Sequence, residues 1–357
     1  MTLQRLAAGM VCWFVMACSQ AQEAEWIRAF DVMWETRWQQ NGVLMNAVRW
    51  PNGDNKTLKY SVNANASSGN ADSAREALAQ IASSMGFSVR EVADGTNDVQ
   101  LQFEIRRFDE TELRQAACYT QRYANSGTLT RVHVVLSEQY AYKCVLHELM
   151  HAMGFPGHPS GESVLSYFEG NQLSLKPIDK FMLKIWHTDA IQPDMRAITA
   201  ARTLNRLWID QNVPDADKPV ARDVERRWFN STIAALDAYA FGKGEPPTIL
   251  YRSGRLNTAG MNAGLIAVQI TLADAYFNGL AGEQDVAKSA QLLLMSAKMK
   301  NRFAASEIAF KLFAGDYSGP VAEPLCHWLK STPPSESGLS SARLRSALTS
   351  DACIAHN

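Results

Sequence analysis

Hydrophobic residues recur with a helical period at two places in the first half of the chain. Aromatic side chains return every four positions from Trp26 to Trp38, which is the spacing of one face of an amphipathic helix. Residues 140–153 contain neither Pro nor Gly and carry apolar side chains at helical spacing, and Gly154 then ends the pattern. We therefore expect one helix near the N-terminus and a second helix over residues 140–153.

Alternation of apolar and polar residues predicts the strands. It is clearest over residues 99–105, where apolar side chains occupy every second position. The other segments with a strand or helix pattern are residues 43–50, 57–64 and 128–136 for strands and residues 70–85 for a helix. The resulting order of strand, helix, strand, strand and helix predicts an α+β domain with a twisted mixed sheet.

A short sequence recurs in the last third of the chain. Residues 237–242 read DAYAFG, residues 274–279 read DAYFNG, and residues 310–315 carry a weaker echo. The glycines that end the three copies are 37 and 36 residues apart, a period typical of arrays of helical pairs. The repeat resembles the Sel-type relatives of tetratricopeptide repeats, which implies an all-α domain over residues 229–357 that binds another protein. A capping domain without a partner is the alternative, and residues 201–228 are expected to form the connection.

Net charge gives no indication of a nucleic-acid partner, and the N-terminus indicates export. The formal net charge is −1, which offers no basis for nucleic-acid binding. Residues 6–17 form an apolar run that has the length found in signal peptides and is too short for a membrane span. We expect residues 1–21 to be a signal peptide of a periplasmic or secreted protein. Alternatively, residues 15–18 resemble a bacterial lipobox, which implies a lipid anchor at Cys18.

Four of the six cysteines lie outside this targeting segment. An even number in an exported protein predicts two disulfides. Proximity in the sequence favours a bond between Cys118 and Cys144. It favours a bond between Cys326 and Cys353 in the same way. Cys144 also lies one helical turn before a histidine, so a role as metal ligand is an alternative.

The candidate chemistry lies at the end of the second expected helix. His147 and His151 are four residues apart, so both imidazoles lie on one helix face and can bind one metal ion. Glu148 follows the first of them, a position that suits a general base acting on water. Zinc lowers the pKa of such a water to about 7, so the pattern predicts a hydrolytic zinc site. Two histidines on an ordinary amphipathic helix are the alternative.

The run HExxHxxG over residues 147–154 resembles the metzincin branch of zinc metallopeptidases. That branch carries a third histidine three residues after the glycine, where this chain has Gly157 and then His158. The resemblance implies His158 as the third zinc ligand and a zincin-like catalytic domain over residues 22–200. The carboxylates that could replace His158 as a ligand are Glu162, Glu169 and Asp179.

Residues 163–167, with the sequence SVLSY, resemble the Met-turn of the same branch, with Leu165 in the place of Met. In the family this turn is an apolar floor below the metal, and Leu fills a similar volume. Tyr167 matches a tyrosine that some members keep beside the zinc, which implies a reversible metal ligand or a hydroxyl donor to the oxyanion. Packing of Tyr167 on the turn is the alternative.

In the metzincins the last strand before the metal helix is an edge strand, which implies that residues 127–135 pair with an extended substrate. The sequence as a whole predicts an exported zinc metallopeptidase that acts on peptides or proteins with Glu148 as general base. Its expected architecture is a zincin-like α+β domain followed by an all-α repeat domain. The alternatives are a protein-binding repeat scaffold with a degenerate or structural zinc site, and a zinc amidase that acts on a non-protein amide.

Overall fold

The structure is a computed structural model that describes residues 20–39, 43–51, 56–63, 65–166, 173–247 and 258–355, with the side chains of residues 258–261 excepted. Cys18, Tyr167 and Glu169, which the sequence singled out, lie outside the described residues, as does the apolar run over residues 6–17. Within the described part of the chain, no helix is both long enough and apolar enough to cross a membrane.

A five-stranded mixed sheet is the central element of the first half of the chain. Its strands are β1 (Thr57–Val62), β2 (Ser88–Glu91), β3 (Leu101–Arg106), β4 (Cys118–Asn125) and β5 (Thr128–Ser137). They lie in the order β2-β1-β3-β5-β4. β4 runs antiparallel to β5, and the other neighbouring pairs are parallel. The expected α+β architecture with a mixed sheet is therefore confirmed.

The strand pattern departs from the prediction at both ends of the sheet. The strand expected over residues 43–50 is reduced to single bridge residues at Leu44 and Arg49, of which Arg49 pairs with Thr128. The edge strands β2 and β4 were not predicted, because most of their side chains are polar and partly or fully exposed. Between β4 and β5, Ser126 and Gly127 have φ of +45° and +73°, the backbone conformation of a tight hairpin turn.

Helices make up most of the remaining described chain. They are α1 (20–35), α2 (Ser68–Met85), α3 (Glu110–Gln115), α4 (Ala141–Ala152), α5 (Pro177–Trp186), α6 (Ala197–Asn212), α7 (Lys218–Ala240), α8 (Thr258–Phe277), α9 (Val286–Lys298), α10 (Arg302–Phe313), α11 (Ala322–Ser331), α12 (Pro334–Ser337), α13 (Ser341–Leu348) and α14 (Asp351–Ile354). The chain divides into two compact units, and the second comprises, among the described residues, residues 43–44 and those from Phe229 onwards. The first unit contains the sheet, and the helices from α8 onwards lie in the second.

One face of the sheet packs against α2 and α4. The side chains of Leu101, Phe103 and Ile105, which alternate along β3, are all buried. This is the period of two that the sequence predicts for a half-buried strand. Burying each of these side chains contributes roughly 1.5–3 kcal/mol. Because α4 also contacts β4 and β5, the layer holds α4 under that end of the sheet.

The aromatic face of α1 packs within the first unit. Phe30 is fully buried, and its ring centroid lies 6.0 Å from that of Trp208 and 5.6 Å from that of Trp228. Trp34 contacts Trp228 as well, with 6.4 Å between the ring centroids. The aromatic stripe that the sequence predicted therefore stabilises the first unit by packing α1 onto α6 and α7.

Both predicted disulfides are confirmed. Cys118 at the start of β4 is bonded to Cys144 in the first turn of α4, within the first unit. Cys326 in α11 is bonded to Cys353 in α14, within the second unit. Disulfides persist in oxidising compartments, so the two bonds favour a location outside the cytoplasm.

Replacing Cys326 and Cys353 together by Ser is expected to destabilise the second unit. The bonded residues are 27 positions apart, and a closed loop of that size contributes about 3–4 kcal/mol through the entropy of the unfolded chain. Urea denaturation of the full chain measures the change in the free energy of unfolding. An unfolding midpoint unchanged from that of the oxidised wild-type protein would contradict the prediction.

Candidate metal centre

Three imidazoles converge at the C-terminal end of α4. His147 and His151 lie on one face of the helix, and His158 reaches them from the loop that follows. The Nε2 atom of His147 lies 3.2 Å from that of His151, and the Nε2 atom of His158 lies 3.0 Å from each of them. Among the described residues, these three form the cluster of potential ligands that could hold a metal ion.

The hydrogen bonds of the outer ring nitrogens determine which nitrogen carries the proton. His147 Nδ1 lies 3.0 Å from Val164 O, and His151 Nδ1 lies 2.6 Å from Phe155 O. A carbonyl oxygen only accepts, so both Nδ1 atoms carry hydrogen, and both Nε2 atoms present lone pairs to each other. Two lone pairs this close repel each other unless a cation lies between them. The donor set therefore fits a bound metal ion.

Burial keeps these imidazoles neutral, which is the form that binds metals. It lowers the pKa of His147 to about 4. It lowers the pKa of His158 to about 3, with a further contribution from the neighbouring His147. The pKa of His151 is lowered well below its usual value, first by burial and then by the two other imidazoles. At neutral pH the three nitrogens are thus available to a metal without loss of protons.

The spacing of the nitrogens is consistent with tetrahedral coordination. Ligands bound to zinc at about 2.0–2.1 Å in a tetrahedron bring their nitrogen atoms to about 3.3 Å from each other. The observed separations of 3.0–3.2 Å are close to that value. Imidazole also suits copper, iron and nickel, so the geometry supports a metal ion without selecting zinc alone.

The loop after α4 explains why the third histidine is one residue later than in the metzincin pattern. Gly157 N donates to Thr36 O at 2.9 Å, and a Cβ atom added at Gly157 would lie 2.0 Å from Glu35 O. No side chain fits there, so a ligand cannot occupy position 157. His158 is the next residue that can turn towards α4.

Glu35 at the end of α1 and Arg37 just after it hold this loop in place, a role that the sequence did not predict. The Glu35 carboxylate accepts from Ser160 N at 2.6 Å and from its hydroxyl at 2.9 Å. The fully buried Arg37 guanidinium donates to Gly154 O at 2.9 Å and stacks over the Trp186 ring at 4.2 Å. Burial lowers the pKa of Arg37 to about 9, helped by the positive charge of Arg122.

A buried turn that contains Leu165 supports the metal centre from the other side. Asp179 accepts from Ser163 Oγ at 2.6 Å and from Val164 N at 2.9 Å. Because Val164 O accepts the hydrogen bond of His147 Nδ1, Asp179 orients His147 through the turn, as partners of metal ligands commonly do. Burial raises the pKa of Asp179, and its hydrogen bonds oppose that change. Leu165 itself is fully buried.

Several alternative ligands are excluded by their positions. Asp179 lies outside the histidine cluster, with both carboxylate oxygens bonded within the turn. Glu162 is exposed to solvent and also lies outside the cluster. Cys144 is bonded to Cys118, so the alternative of a cysteine ligand is wrong.

Glu148 follows His147 in the sequence and is buried. Its side chain is held by the Thr120 hydroxyl, which lies 2.8 Å from Glu148 Oε2. Burial raises the pKa of Glu148 to about 7, and the hydrogen bond from Thr120 opposes this rise. A general base is most effective when its pKa lies near the operating pH, so the environment of Glu148 suits that role. The sequence did not predict a role for Thr120, because Thr120 lies on β4, a strand that was itself not predicted.

Every second residue of β4 from Cys118 to Arg122 contacts α4, and the three contacts follow one another along the helix. Cys118 is bonded to Cys144 in the first turn, and Thr120 holds Glu148. The guanidinium of Arg122 follows at the C-terminal end, where Nη1 lies 3.4 Å from His151 O. The edge strand β4 therefore lies along the whole length of α4.

The prediction that residues 127–135 form an edge strand is wrong. They lie mostly in β5, which runs between β3 and β4, and β4 is the edge. Ser137 N donates to Ala117 O at 3.1 Å, so Ala117 and Ser137 form a hydrogen-bonded pair of the antiparallel ladder. Hydrogen-bonded pairs then recur at every second residue along β4, which leaves Thr120 and Arg122 in the pairs between them. The backbone N–H and C=O groups of Thr120 and Arg122 therefore point away from β5. In the sheet as described, no other strand pairs with this edge.

Replacing His158 by Ala is expected to weaken zinc binding by at least about 100-fold, because even residues that only orient a ligand contribute 10–100-fold to affinity. A competition titration against a chelator of known affinity measures this change. The matched control is His133→Ala, which removes an imidazole whose Nε2 lies 3.0 Å from Glu104 on the sheet. An equal affinity in the His158 variant and the control would show that His158 is not a ligand.

Known proteins do not supply a family for this centre. The chain matches no model of a protein family, and no curated protein matches it either. The resemblance to metzincins therefore stays a prediction, and the functional proposal rests on the geometry of the residues described above.

Proposed function

We propose that the protein is an exported zinc metallopeptidase whose catalytic machinery lies in the first unit. One observation carries the proposal: three imidazole nitrogens converge, and the residue that follows the first histidine in the sequence is a buried carboxylate. Structural zinc sites are typically closed by four protein ligands, whereas catalytic sites use three and leave one position open. The described residues supply three.

Zinc, when bound, supplies Lewis-acid chemistry that polarises a carbonyl group and lowers the pKa of a water molecule towards 7. The Glu148 carboxylate accepts the proton of the attacking water and returns it to the leaving amine. The Thr120 hydroxyl holds that carboxylate in place at 2.8 Å. Tyr167, which follows the described turn, is proposed from the metzincin resemblance to donate its hydroxyl to the developing oxyanion.

The substrate backbone is proposed to bind along the free edge of β4. An extended peptide can add to a sheet edge through main-chain hydrogen bonds. The outward N–H and C=O groups of Thr120 and Arg122 offer such bonds, and the side chain of Thr120 contacts the general base. A peptide bound along this strand therefore passes next to the metal centre.

The second unit is proposed to be a helical-repeat domain that binds a protein partner. α8 packs on α9, and α9 packs on α10. Asp237, from the first copy of the repeated sequence, accepts from the hydroxyl of Tyr276 in the second copy at 3.0 Å and from Lys288 Nζ at 2.9 Å. Equivalent segments thus contact each other directly, as stacked repeats do.

Glu148→Gln is expected to retain zinc and to lower kcat/KM by about 100- to 10,000-fold, the contribution of a general base. Digestion of a broad peptide library by the zinc-loaded protein, with metal content determined on the same sample, measures both quantities. The matched control is Glu138→Gln, which neutralises an exposed carboxylate just before α4.

The same experiment, extended to non-peptide amides as substrates, separates the alternatives. Full peptidase activity in the Glu148 variant would contradict the assigned mechanism. A zinc-loaded wild-type protein that hydrolyses other amides but no peptide would indicate an amidase, because both reactions share this chemistry. Zinc that is bound without hydrolysis of any amide would indicate a scaffold with a structural site.

A further inference from the structure

Arg122 lies on the same face of β4 as Thr120 and points towards the metal helix. In the register of the sheet it is opposite Val132, which is fully buried on the face that packs against α4. The guanidinium makes two long contacts: Nη1 lies 3.4 Å from His151 O, and Nη2 lies 4.0 Å from Met45 Sδ. Neither contact neutralises its charge, and the side chain remains partly accessible.

None of the carboxylates in the described residues forms an ion pair with Arg122. A second arginine lies nearby, since the Arg37 guanidinium donates to Met45 O at 3.2 Å and Met45 is also the residue that Arg122 Nη2 contacts. Arg122 therefore lies close to another positive charge and to the histidine cluster, and no described carboxylate is paired with it. A half-buried cation in such surroundings is stabilised when an anion binds next to it.

The C-terminal end of α4 explains only part of this arrangement. A cation near the last carbonyls of a helix is favourable, and His151 O is one of those groups. A single contact of 3.4 Å occupies only one of the five N–H donors of the guanidinium, however. The planar fork of arginine matches the two oxygens of a carboxylate, a match that the ammonium group of lysine does not provide.

We propose that Arg122 binds a carboxylate of the substrate, so that the enzyme acts on acidic peptides. The inference rests on the peptidase function proposed above. Thr120 marks the position of the general base along β4, and Arg122 is two residues further on the same face, about 6.7 Å away. A peptide paired with this edge places its carboxylate within about two residues of the cleaved bond. The carboxylate is either an Asp or Glu side chain or the C-terminus of the peptide.

Matched peptides test the proposal. One pair differs only by Glu or Gln at a position within two residues of the cleaved bond, and a second pair differs only by a free or amidated C-terminus. For the zinc-loaded wild-type protein, kcat/KM is expected to be about tenfold to a hundredfold higher for the charged member of at least one pair. The pair that shows the preference identifies the source of the carboxylate.

Variants of Arg122 assign that preference to one side chain. In Arg122→Gln the ratio between charged and neutral peptide is expected to fall close to one, with zinc content unchanged. Arg122→Lys keeps the charge without the fork, so an intermediate ratio is expected even if the glutamine variant folds poorly. Arg131→Gln is the matched control, because Arg131 lies opposite Tyr123 on the other face of the sheet and is exposed. Its ratio is expected to equal that of the wild-type protein.

Two outcomes overturn the inference in distinguishable ways. If the wild-type protein cleaves peptides without preference for a carboxylate, or if Arg122→Gln keeps the preference, Arg122 does not select the substrate and the peptidase function still holds. If the wild-type protein cleaves no peptide at all, the proposed function fails and this inference fails with it.

Discussion

The structure depends on one constraint: imidazole Nε2 atoms that carry no hydrogen face each other at short distance. The Nε2 atoms of His147 and His151 lie 3.2 Å apart while both Nδ1 hydrogens are donated to carbonyl groups. Such an arrangement is unfavourable without a cation, so the surrounding chain must hold the imidazoles in place. Asp179 holds His147 through the Val164 turn, and the loop after α4 holds His158. The candidate metal site therefore depends on three separate segments rather than on α4 alone.

In the proposed function, the edge strand β4 connects the candidate metal centre with the binding of the substrate. Its disulfide to Cys144 anchors the start of α4, and its Thr120 holds Glu148. No other strand of the described sheet pairs with its outer edge, and its Arg122 adds a positive charge on the face that packs against α4. In the proposed function, this single strand positions the general base, offers hydrogen bonds to the substrate and supplies a group that selects among substrates. A change in the position of β4 is then expected to affect all three roles together.

Local patterns in the sequence predicted those features of the structure that depend on residues close together in the chain. The spacing of His147 and His151 defines one helix face, and closeness in the chain identified both disulfides. His158 was expected from a family resemblance, and Gly157 shows why it is displaced: a side chain at position 157 would collide with backbone from a segment more than a hundred residues earlier. No pattern in the loop itself reveals that contact.

Tertiary contacts determined what the sequence did not reveal. β4 is polar along most of its length and is a strand because it pairs with β5 and lies on α4, not because of its own hydrophobic pattern. Its absence from the prediction led to the wrong choice of edge strand. Asp179 was considered as a ligand because carboxylates bind zinc, whereas its environment in the fold makes it a hydrogen-bond acceptor for the Ser163–Val164 turn.

X-ray absorption spectroscopy of the protein loaded with one equivalent of zinc tests whether the three histidines coordinate the metal. We expect three imidazole nitrogens at about 2.0–2.1 Å, with a further light atom completing the coordination and no sulfur. A sulfur shell at about 2.3 Å, or fewer than three imidazoles, would contradict this expectation.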